Sequence, residues 1–204
     1  MPEIMPVTLR DEHVALEPLA VDHVPGLEAA ALDGELWNLW FTSVPPPGQM
    51  HAYVEKALAA QTEGRMQPFA IREATSGEIV GSTRFYDIED AVPRMAIGYT
   101  WYAQRWQKTH LNTCCKRLLL QHAFETVGAA SVQFHTDNYN VNSQRAIARL
   151  GATQEGILRS HQKRPNGTVR DTVCFSIIAT EWEGVKRSLE LRIERLTAPA
   201  QDAR

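Results

Sequence analysis

The chain has 204 residues, 44% hydrophobic and 22% charged, with a formal net charge of −3; this suits one globular domain with a sizeable core and offers no basic patch for nucleic acid. No run approaches the roughly 18 apolar residues of a membrane span, and charges at Glu3, Arg10, Asp11, Glu12 and Glu17 leave no apolar signal core. Adjacent Cys114 and Cys115 and distant Cys174 make neither a disulfide framework nor a metal spacing, so a reduced, cytoplasmic protein is expected.

In chain order, Val7–Leu9 and Val14–Leu19 read as short strands, and Asp22 as the N-cap of a helix to about Leu32. The aromatics Trp37, Trp40 and Phe41 lead into Pro45-Pro46-Pro47-Gly48, which interrupts regular structure. A helix from about Gln49 to Glu63 follows, with Met50, Tyr53, Val54, Ala57 and Leu58 at helical spacing. Pro68–Glu73 and Ile79–Tyr86 are strands around the turn Thr75-Ser76-Gly77. Arg94–Trp101 is a third strand, and alternation puts Met95, Ile97, Tyr99 and Trp101 on one face. Asn112–Val127 is an amphipathic helix stopped by Gly128. Ser131–Thr136 is a strand, and Asn142–Leu150 a short helix closed by Gly151. Gln154–His161 and Thr168–Ile178 flank Asn166-Gly167, the strongest short hairpin signal available. A last helix spans Glu181–Leu196.

This order of strands, helices and a late hairpin describes an α/β fold on a mixed sheet. One domain over residues 1–196 is expected, with a frayed tail at 197–204. The turn feeding the helix at 108–112 suggests an anion site, because a helix N-terminus presents unpaired N–H groups and a favourable dipole.

Four segments carry a family resemblance. They are Ile97-Gly98-Tyr99-Thr100-Trp101; Gln107-Lys108-Thr109-His110-Leu111-Asn112; the run Asn140-Val141-Asn142-Ser143-Gln144-Arg145-Ala146-Ile147 through Leu150-Gly151-Ala152; and Glu155-Gly156-Ile157-Leu158-Arg159 with Arg170-Asp171 and Glu181-Trp182. In order and spacing they resemble the GNAT superfamily of N-acetyltransferases, in its RimJ/RimL-like branch of ribosomal-protein N-acetyltransferases. The third segment is the most specific, being similar to the family's N-x-x-S-x-R pattern. Residues 1–89 match only in kind, and there family members vary by substrate.

The resemblance implies a mostly antiparallel, twisted mixed sheet flanked by helices, ending in a β-hairpin and helix. It implies transfer of an acetyl group from acetyl-CoA, or another acyl-CoA, to a primary amine on a peptide N-terminus or a small molecule. Gln107, Lys108, Thr109, His110, Leu111, Asn112 and Thr113 would hold the pyrophosphate, although His110 and Asn112 stand where the family has Gly and Gly/Ala. The backbone of Trp101 and Tyr102 would pair with pantetheine as a pseudo-strand. Asn140 would contact pantetheine, and Ser143 would be the catalytic donor to the departing thiolate; as residues in a turn, Asn140 and Ser143 would equally serve as caps.

Ala96 stands where a general-base Glu is expected, so the base stays open among Asp87, Glu89, His135, Asp137 and a water relay. Trp37, Trp40, Asp87 and Glu89 are candidates for an acceptor wall that captures a cation with some apolar body. A non-catalytic acyl-CoA-binding module and a transferase of another acyl group such as succinyl remain as alternatives. No membrane or nucleic-acid partner is expected, and the oligomeric state, a homodimer included, stays open.

Overall fold

The computed structural model describes residues 5–42, 44–164 and 166–198. The strands are β1 (Leu9–Arg10), β2 (Val14–Pro18), β3 (Met66–Glu73), β4 (Ile79–Glu89), β5 (Arg94–Tyr102), β6 (Ser131–Asp137), β7 (Thr153–Lys163) and β8 (Val169–Ile178). They form one eight-stranded sheet in the order β1-β2-β3-β4-β5-β6-β8-β7. Every neighbouring pair is antiparallel except β5 and β6. The helices are α1 (Val24–Leu32), α2 (Met50–Thr62), α3 (Leu111–Gln121), α4 (Val141–Ala148) and α5 (Trp182–Thr197). None is long and apolar enough to cross a membrane among the described residues.

The sheet is covered on both faces, and each face has its own core. On one, Leu111, Leu119 and Leu120 of α3 and Trp182, Val185 and Leu189 of α5 pack on Phe85, Met95, Ile97, Val132 and Phe134. On the other, Leu27 and Ala30 of α1 and Met50, Val54 and Ala57 of α2 pack on Ala70 and Trp101. The helical spacing of those apolar positions is what gives each helix a single buried stripe.

Three local expectations are corrected. Asp22 lies in a 3-10 turn, Val21–His23, and α1 begins after it with Pro25 in its first turn, where a missing N–H costs nothing. The long helix is α-helical only to Gln121; His122–Val127 is a π-helical stretch, closed as expected by Gly128 at φ 74°. The third strand does not alternate cleanly, because Tyr99 takes φ 51° in a β-bulge: Ser82 pairs with Trp101 but Arg84 with Gly98. The inserted residue reverses the faces beyond it. Met95 and Ile97 join the α3 core, Trp101 joins the α1–α2 core, and Tyr99 is exposed. Helix α5 continues through Thr197, and the expected tail lies outside the described residues from 199 on.

Candidate active site

The parallel pair β5 and β6 is joined only at Arg94↔Ser131, Met95↔Val132 and Ala96↔Gln133. Beyond that, β5 stays with β4 to Tyr102, while β6 stays with β8 to Asp137. The two strands therefore splay into a wedge that opens toward their C-terminal ends. The segments leaving those ends lead directly into α3 and α4, so both helix N-termini stand at its mouth.

At the first N-terminus, Thr109 Oγ1 donates to Trp106 O at 2.8 Å and accepts from Leu111 N–H at 3.3 Å, while Gln107 Nε2 donates to Tyr102 O at 3.1 Å. Thr113 N–H is taken by His110 O at 2.9 Å. The N–H groups of Lys108, Thr109, His110 and Asn112 have no acceptor among the described residues. Converging amides at a helix start suit a pyrophosphate. Lys108, not His110, takes the left-handed conformation at φ 62°, and His110 sits at φ −65°, ψ −25°, which any residue adopts. His110 in place of the family's glycine therefore imposes no backbone strain at this turn. The His110 ring is turned onto His13, centroids 5.0 Å apart, and Asn112 Oδ1 accepts from Tyr102 OH at 3.3 Å.

At the second N-terminus, Asn140 is the N-cap of α4: its Oδ1 accepts from Ser143 N–H at 3.0 Å. Capping therefore falls to Asn140 and leaves the Ser143 hydroxyl without a hydrogen-bond partner among the described residues. The turn is anchored by Asp137, which pairs two-pronged with Arg164 (Nε to Oδ2 2.6 Å, Nη2 to Oδ1 3.0 Å) and accepts from Tyr139 N–H. Both ion-pair partners are buried. Burial alone would raise the Asp137 pKa, but the Arg164 and Tyr139 hydrogen bonds outweigh it and hold the carboxyl below its usual value. Asp137 is thus a strut, not a base.

Ala96 and Gly98 leave a shallow trough across one face of β5. The Tyr86 ring lies in it, so close that a Cβ on Gly98 would stand 2.6 Å from the ring. Tyr86 OH reaches His135 Nδ1 on β6 at 3.1 Å, and Asp87 Oδ2 lies 3.9 Å from the same nitrogen. Burial lowers the His135 pKa more than Asp87 raises it, so the imidazole is neutral at pH 7. On the same face Arg84 is 4% exposed, with its guanidinium 4.4 Å from the Tyr53 ring and 4.6 Å from the Tyr99 ring. On the opposite face the buried Lys116 of α3 donates to Thr100 Oγ1 at 2.8 Å, beside the bulge; burial pushes its pKa down to about 8.

The expected acceptor wall divides. Trp40 reaches across to Tyr139 (5.4 Å between rings) and to Arg164 (4.6 Å), joining the N-terminal half to the α4 turn. Trp37 is half-buried in the 3-10 turn Leu36–Asn38. Asp87 stands beside His135, but Glu89 turns back to accept from Ala91 N–H in the distant β4–β5 hairpin. Two surface grooves, about 310 Å³ along α5 and about 230 Å³ at α1, lie away from the wedge. Sequence reasoning missed Arg84, Tyr86, Tyr53 and Lys116. A lone arginine within the strand run Ile79–Tyr86 was the one visible signal.

The comparisons agree with this fold. The sequence model of the acetyltransferase (GNAT) domain matches residues 13–153. A crystal structure of a provisionally assigned acetyltransferase from T. thermophilus is 34% identical, with TM-score 0.81, covering 92% of this chain and 97% of that one. A GCN5-related N-acetyltransferase from Brucella melitensis is 26% identical with TM-score 0.83, covering 94% and 87%. YdaF of Bacillus subtilis (strain 168), provisionally named a ribosomal N-acetyltransferase, is 28% identical over 54% of this chain; the match spans 59% of YdaF, under two thirds of its length. The chain belongs to the GNAT acetyltransferase family.

Proposed function

We propose that the protein transfers the acetyl group of acetyl-CoA to a primary amine, on a peptide N-terminus or a small molecule. The observation that carries this reading is the wedge itself, with four amides at one wall and a serine hydroxyl at the other that have no partner among the described residues. Bound acetyl-CoA supplies the activated thioester carbonyl. The amides of Lys108, Thr109, His110 and Asn112 hold the pyrophosphate, and the free edge of β5 offers backbone groups to the pantetheine arm. Ser143 gives its proton to sulfur as the C–S bond breaks, and recovers one from solvent. His135, neutral and tied to Tyr86, takes the proton the amine nitrogen loses as the C–N bond forms.

The test is thiol release from acetyl-CoA in the presence of peptides and small amines. Release that depends on the amine supports the reading. Tight CoA binding with no release for any amine would overturn it, and faster turnover of succinyl-CoA would change the acyl group but not the mechanism.

A further inference from the structure

The Arg84 guanidinium is buried under Tyr53 and Tyr99, and its one polar contact among the described residues is from Nη1 to Met66 Sδ at 3.3 Å. Nε and Nη2 have no hydrogen-bond partner, and no carboxylate pairs with Arg84 among the described residues. Stacking on two aromatic rings satisfies the faces of the cation but not its N–H edge. The same chain shows what that edge is built to bind. Arg72 meets Glu17 through Nε and Nη2 at 2.8 and 2.9 Å, and Arg164 meets Asp137 through the same two atoms at 2.6 and 3.0 Å. At Arg84 the matching edge is vacant. Its position is also telling, because Arg84 pairs with Gly98 at the bulge where the wedge begins to open.

We propose that the acceptor carries a carboxylate, bound two-pronged by Nε and Nη2 of Arg84. The role of the amine rests on the acyl-transfer reading above; the binding of the carboxylate does not. Tyr86, which leads to His135, lies two residues further along the same face of β4, about 7 Å at strand spacing. That separation exceeds the single carbon between amine and carboxylate in an α-amino acid. It suits a short peptide or an amino acid with its two groups at opposite ends. Tyr99, exposed and held at φ 51°, is the ring that must shift to admit the ligand.

The experiment uses the whole protein and glycylglycine, compared with glycylglycinamide, which keeps the amine and removes the negative charge. With acetyl-CoA, kcat/KM should favour glycylglycine by about 10- to 100-fold, the usual worth of a charge-assisted pair. Arg84→Gln removes the positive charge and the two-pronged edge, and should bring that ratio close to one. Should the variant fail to fold, the wild-type Arg84 Nε–H resonance serves instead. It should shift on titration with glycylglycine and stay still with the amide. Equal kcat/KM for the two acceptors, or an Nε–H signal unmoved by saturating glycylglycine, overturns the proposal. Faster turnover of O-phosphoethanolamine than of glycylglycine would also overturn it, in favour of a phosphate. A shifted Nε–H with no amine acetylated would leave the carboxylate site standing and sink the acyl-transfer reading; acetylation without discrimination would do the reverse.

Discussion

The two sides of the wedge are made differently. The proposed cofactor side is built from backbone: four amides before and within the first turn of α3, and the capped turn at Asn140. The proposed acceptor side is built from side chains of distant segments, with Tyr53, Arg84, Tyr86, Tyr99 and His135 arriving from α2, β4, β5 and β6. A backbone site tolerates substitution, so under the proposed reading His110 and Asn112 can stand where the family has Gly and Gly/Ala. Side-chain sites have no such tolerance, and each member can change the substrate.

This contrast can be broken at several points. The largest effect is expected at Asp137, whose removal leaves Arg164 buried and unpaired. Asp137→Ala should lower the chemical-denaturation midpoint more than any other of these substitutions and loosen the Ser143 turn. An unchanged midpoint would show that the ion pair does not hold the turn. On the acceptor side, His135→Asn should lower kcat about 100-fold. The sign of its pH dependence follows from burial: the wild-type pKa lies below 6.5, so the rate should fall as pH drops through that lower value and the imidazole protonates. The variant should lose this acid limb, and an unchanged profile would remove His135 from the mechanism.

Ser143→Ala should reduce kcat about 10- to 100-fold with little change in KM, a modest loss because water can substitute as the donor. An unaltered kcat would leave Ser143 a helix residue only. His110→Pro tests the backbone side against His110→Ala, because proline fits φ −65° and deletes the amide together with the imidazole, whereas alanine deletes the imidazole alone. Calorimetry should show CoA binding weakened about 10-fold, whereas His110→Ala should leave it nearly unchanged. Equal losses in both variants would mean that the imidazole, not the amide, binds. The smallest effect concerns Lys116. Lys116→Met should stabilise the protein by about 1 kcal/mol at pH 7, desolvation relieved less the Thr100 hydrogen bond lost. Its folded pKa of about 8 lies below the ordinary lysine value of 10.5, so the wild type gains stability as pH rises from 8 to 10.5, and the difference should shrink over that window.

What the sequence determined by itself was local. The Asn166-Gly167 turn, the stop at Gly128, the helix starting beside Lys108–Asn112 and the Asn140–Ser143 spacing all follow from chemistry within a few residues. Caps, turns and helical periodicity depend only on near neighbours, so they are readable in one dimension. The tertiary structure alone decided the rest. One bulged residue, Tyr99, moved Trp101 to the opposite face from Met95 and Ile97, which strict alternation cannot foresee. The meeting of Tyr86 with His135 spans 49 positions of sequence and exists only because Ala96 and Gly98 are small where the Tyr86 ring crosses β5. Arg84 reads in sequence as an ordinary strand arginine. Burial under Tyr53 and Tyr99, with no carboxylate brought near by the sheet's register, is what makes its empty edge informative.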